Sequence, residues 1–89
     1  MFLKSYAVYW SEGEGPRHTG KVQLGRLHLL LKGGRGARLA VACDDIESVD
    51  YQGREIHLGR HNQPAVTIGS LDGPGALLEL LELTSCLGT

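Results

Sequence analysis

Along most of this chain apolar side chains recur at every second position, in short runs that a glycine or a polar turn soon ends. Val22 and Leu24 alternate with Lys21 and Gln23, and Leu27, Leu29 and Leu31 alternate with Arg26, His28 and Lys32. Leu39 and Val41 stand between Arg38, Ala40 and Ala42; Ile56 and Leu58 stand between Glu55 and His57; Val66 and Ile68 close the series. A period of two sends alternate side chains to opposite faces of a strand, so each run reads as a half-buried β-strand with its leucines, valines and isoleucines inward. The 13 glycines fall mainly between the runs, where positive φ or a bulge would reject a Cβ.

Read in order, the segments are Leu3 to Trp10, a loop over Ser11 to Thr19, then Gly20 to Leu24 and Leu27 to Leu31. Gly33-Gly34-Arg35-Gly36 is a hairpin loop, Leu39 to Cys43 is a strand, and Asp44-Asp45 interrupts it before Ile46 to Tyr51. Gln52-Gly53 turns into Arg54 to Arg60, and His61 to Pro64 turns into the last strand. The expectation is about seven strands in antiparallel hairpins within one domain spanning residues 1–89. After Ser70 the period changes. Ser70 or Asp72 can cap a helix, Pro74 suits its first turn, and Ala76 to Leu87 reads as one helix stopped by Gly88. At about 100° per residue its leucines cover an arc of roughly 220°, more than a single docking face of about 100° requires.

The order of short antiparallel strands and one C-terminal helix, with Thr19 to Leu24 running into Leu27 to Leu31 and with Val41-Ala42-Cys43-Asp44-Asp45-Ile46-Glu47-Ser48-Val49, resembles bacterial pleckstrin-homology-like (PH-like) and GRAM-like domains. The resemblance covers about Leu3 to Leu87. It implies a mainly β fold, a bent barrel-like sandwich whose open corner is plugged by the helix. Phosphoinositide-binding members carry a basic set across the first two strands; here that region offers Arg17, His18, Lys21 and Arg26 without the close basic pair, so no lipid-site residues carry over.

The formal charge of −1 supplies no surplus of cations for a nucleic-acid partner, and no run approaches the roughly 18 apolar residues of a membrane helix. The start lacks the pattern of a signal peptide, and Cys43 and Cys86 read as reduced thiols of a cytoplasmic protein. The near-neutral total conceals a division. Arg17, Lys21, Arg26, Lys32, Arg35 and Arg38 lie between Gly15 and Cys43 with no acid among them. They read either as a solvated sheet face balanced by Asp44, Asp45, Glu47 and Asp50, or as a patch for an anionic lipid or phosphorylated headgroup. His57 and His61 have a spacing that binds metal on a helix, not on a strand, and no metal or cofactor is expected. Cys43 with a histidine supplies nucleophile and base types, but alternation turns the thiol toward the core, so no catalytic residues are assigned. The surplus leucine of the helix, with Leu78, Leu83 and Leu87 as candidates, suggests a protein interface. The expected function is therefore a small non-enzymatic PH-like module acting through protein contacts and self-association, with peripheral anionic-lipid binding as the alternative.

Overall fold

The computed structural model describes residues 2–73 and Leu78, with side chains from Lys4 onward. Seven strands run in chain order: β1 Phe2–Glu12, β2 His18–Gly25, β3 His28–Gly33, β4 Arg38–Ala42, β5 Ile46–Gln52, β6 Glu55–Arg60 and β7 Gln63–Ser70. They form one antiparallel sheet in the order β4-β3-β2-β1-β7-β6-β5. The expected barrel does not close among the described residues, because β4 and β5 remain its edges, joined by a short 3-10 turn over Cys43–Asp45. The extents of 30 × 29 × 27 Å are nearly equal. A flat sheet is a single layer, about 10 Å from the next one when sheets stack, so this one is strongly curled round its own inner face.

That inner face is the core, and the alternation in the sequence builds it. Val8 and Trp10 of β1, Val22 and Leu24 of β2, Leu29 and Leu31 of β3, and Val41 of β4 are buried. Ile46, Ile56, Leu58, Val66 and Ile68 complete it from β5, β6 and β7. Register aligns them in rows across the strands: Val22 opposes Leu31, which opposes Leu39, and Trp10 opposes Ile68, which opposes Ile56.

Several sequence expectations need correction. β1 extends to Glu12 and β2 begins at His18, so the first loop is shorter than Ser11 to Thr19. The backbone of these polar residues is held by the β1–β2 and β1–β7 ladders despite its lack of hydrophobic period. Leu27 does not point inward: it lies in the bend between β2 and β3 and is 70% exposed. There its carbonyl accepts the Cys43 amide hydrogen at 2.8 Å, so the backbone, not the side chain, makes the contact. Pro64 belongs to β7, since the β6–β7 turn is only His61-Asn62. The expected helix over Ala76 to Leu87 lies outside the described residues, except that Leu78 is helical.

Trp10 fixes the packing of β2 on β3. Its indole N–H donates to the Lys32 carbonyl at 2.9 Å, and its ring packs tilted against His18, with centroids 4.5 Å apart. Gly20, opposite Gly33, permits this approach: a Cβ there would collide with the Lys32 carbonyl itself. At Gly34, one residue further on, a Cβ would meet open space. We expect Gly20→Ala to lower stability by about 2–3 kcal/mol as an overpacked site, and Gly34→Ala to change it by less than about 1 kcal/mol. Urea midpoints for the two variants check this; equal midpoints would sink the account.

Candidate functional site

The outer face of β1–β4 carries the charges. Ala7, Lys21, Lys32 and Arg38 are successive register partners on β1, β2, β3 and β4, and so form one row across four strands. Lys21 and Arg38 are exposed and Lys32 is half-buried. None of these three cations has an ion-pair partner among the described residues. Like charges set directly opposite one another weaken a sheet, so this row costs stability as it stands. Along it lies an open groove of about 620 Å³, whose lining includes Ser5, Tyr6, Ala7, Thr19, Lys21 and Lys32.

Not every cation of the segment joins the row. Arg35 sits at the adjoining β3–β4 turn with φ of 60°, exposed beside Gly34. Arg26 is at the far end of the β2–β3 hairpin, next to Leu27. Arg17 is committed elsewhere: its guanidinium lies 4.3 Å from the centroid of the Tyr9 ring. Asp44 and Asp45 occupy the short turn that leads out of β4, and Glu47 and Asp50 lie on β5, at the other end of the sheet order. Glu47 there meets His61 Nδ1 at 2.8 Å.

Tyr9 makes a second constellation on the outer face. It opposes Gly69 on β7, and its ring lies where a Gly69 side chain would stand. The glycine lets the ring cross β7, so that the Tyr9 hydroxyl donates to Glu55 Oε2 on β6 at 2.8 Å. This hydrogen bond raises the Tyr9 pKa, burial and the Glu55 charge raise it further, and Arg17 opposes them.

A charged group also lies on the inner face, which the sequence pattern did not single out. Arg60 is buried, pairs with the half-exposed Glu12 carboxylate, and donates from Nε to the Pro64 carbonyl at 2.9 Å. Its place in the alternation after Ile56 and Leu58 was the available signal. The Cys43 thiol is pushed up by burial and then by Asp44, and it points to the Arg26 carbonyl. His57 instead meets Thr67 Oγ1 on β7, so Cys43 and His57 are engaged separately. Among the described residues no group of three His, Cys, Asp or Glu side chains could hold a metal ion, and no helix is long and apolar enough to cross a membrane. Of the interface candidates, Leu78 is 52% exposed; Leu83 and Leu87 lie outside the described residues.

No family model matches the chain, and no curated protein matches it. Among solved structures it is similar to the C-terminal domain of an unknown protein from Leishmania infantum, with a TM-score of 0.75 and 16% identity. The match covers 94% of this chain and 84% of the other, and at that identity it speaks for the fold alone.

The Tyr9–Glu55 bond has a titration signature. With its pKa raised above 10.0, Tyr9 adds stability that is fully present below that pH and is lost as pH rises through the folded-state value. Difference absorbance titration of the native chain against Tyr9→Phe is expected to show ionisation later than in a free tyrosine, shifting back toward the ordinary value in Glu55→Gln. Ionisation of Tyr9 at or below the ordinary value would contradict the geometry.

Proposed function

We propose that the chain is a non-enzymatic PH-like interaction module whose outer β1–β4 face binds an anionic surface. The observation that carries this reading is the row Lys21, Lys32 and Arg38: three cations in direct cross-strand register, with no carboxylate among the described residues to neutralise them. A phosphate-bearing surface would relieve the repulsion that the bare row suffers, and Arg35 on the adjoining turn adds a fourth positive charge. Glu47 and Asp50 stand on β5, Asp44 and Asp45 lie in the turn after β4, and none of the four pairs with the row, so a chain of net charge −1 can still present a positive face. Seven antiparallel strands in one curled sheet support the PH-like assignment.

A second reading, contact with other proteins, rests on Leu27, Leu71 and Leu78, which are 70%, 51% and 52% exposed. Scattered leucines are ordinary on a surface, so the charged row weighs more.

Co-sedimentation with vesicles containing phosphatidylserine or a phosphoinositide, against phosphatidylcholine alone, tests the proposal. At about 1 kcal/mol per cation, the triple variant Lys21→Gln, Lys32→Gln, Arg38→Gln is expected to lose on the order of a hundredfold in partitioning. Binding should also weaken as salt rises. A triple variant that binds anionic vesicles as the native chain does, or a native chain that ignores them at low salt, would overturn it.

A further inference from the structure

The sheet has two open edges, and they are treated differently. β5 carries an irregular register between Ile46 and Ser48 together with two acids, Glu47 and Asp50, and both a bulge and charge are devices that keep an edge from pairing. β4, Arg38–Ala42, has neither: its register against β3 is unbroken, and it contains no proline or glycine, two alanines and a single charge at one end.

The hydrogen bonding shows which β4 groups face outward. The Gly33 amide donates to the Ala37 carbonyl and the Cys43 amide to the Leu27 carbonyl, each one step beyond an end of the β3–β4 register and in phase with it. Antiparallel ladders alternate, so Leu39 and Val41 also exchange hydrogen bonds with β3, while the N–H and C=O groups of Arg38, Ala40 and Ala42 point away from it. Of those groups the Ala42 carbonyl is taken up as the N-cap of the 3-10 turn Cys43–Asp45, and the others have no partner among the described residues.

We propose that this edge pairs with β4 of a second copy, antiparallel about a two-fold axis at Ala40. The inference rests on the reading of the chain as an interaction module, but not on its anionic partner. The arrangement is self-complementary: Ala40 exchanges both backbone hydrogen bonds with Ala40 of the partner subunit, and the Ala42 amide donates to the carbonyl of Arg38 of the partner subunit. The methyl groups of Ala40 and Ala42 leave the approach open, and half-buried Leu39 gains an apolar neighbour on the inner side.

Charge selects this edge over the other. Around Ala40 the two Arg38 residues stand four positions apart along the ladder, about 13 Å, beyond the Debye length of about 8 Å at physiological salt. On β5 the turn Gly53-Arg54, with φ of 62° and 63°, closes on Gln52 and Glu55, which leaves Val49 and Tyr51 as the outward-bonding residues. A two-fold at either one sets Asp50 diagonally against its own copy, about 7–8 Å away, where like charges repel. The β4 pairing also places both basic rows on one continuous outer face.

Sedimentation equilibrium of the full chain between about 10 µM and 1 mM, without lipid or phosphate, is the first test, since an edge of three residue pairs gives a weak dimer. A monomer–dimer equilibrium is expected, and Ala40→Pro, which costs no bond to β3, should weaken it at least tenfold with native circular dichroism retained. In a Cys43→Ser, Cys86→Ser background, Ala40→Cys should cross-link to a disulfide dimer under mild oxidation, because bonded partners lie about 5.5 Å apart at Cα, within disulfide reach. Val49→Cys in the same background should not. A strict monomer at 1 mM, or cross-linking at 49 equal to that at 40, would overturn the proposal. Either result leaves vesicle binding to be judged separately.

Discussion

The sheet is continuous only because β1 bonds on both sides. Along one side it pairs with β2 from Phe2 to Trp10, along the other with β7 from Val8 to Glu12. The three residues common to both ladders, Val8, Tyr9 and Trp10, are where the two halves of the curl are held at a fixed angle. Trp10 faces in and closes the core against the Lys32 carbonyl, while Tyr9 faces out and reaches β6. Removing apolar surface from water supplies the larger energy, but burial is non-directional. The hydrogen bonds of these two aromatic residues, at 2.9 and 2.8 Å, tie β1 to β3 and to β6 beyond its ladder neighbours.

Much of the fold was legible because a period of two is a local signal. Leu29 with Leu31, Ile56 with Leu58, and Val66 with Ile68 are inward as their alternation requires. Leu27 failed because it matches the phase of Leu29 yet lies in a bend, where phase has no meaning; the tie from its carbonyl to Cys43 spans a distance no local pattern reads. Glu12 failed for the converse reason: a polar residue with no period is held in a strand by Val66, which lies far along the chain. Arg60 shows the cost of treating alternation as purely apolar, since its inward position is offset by Glu12 and Pro64 from two other elements.

The basic segment was visible as composition, but its geometry was not. Six cations in sequence become three in a row, one at the adjoining turn, one stacked on Tyr9 and one at the far end of a hairpin. Register is what sorts them, and register depends on turns as much as on the strands themselves. The result is one outer face with three cations in a single row, in a chain whose total charge is near zero.

The crossing of Tyr9 over Gly69 reaches beyond the contact itself. The ring fills space that the opposite residue gives up, and its hydroxyl depends on a carboxylate one strand further on. Positions 9, 69 and 55 therefore form a single heritable unit. A side chain gained at 69 displaces the ring and strands Glu55, whereas loss of the aromatic at 9 frees 69 to become larger. In related sequences these three positions should change together, with glycine at 69 wherever an aromatic stands at 9, although they are far apart in the chain.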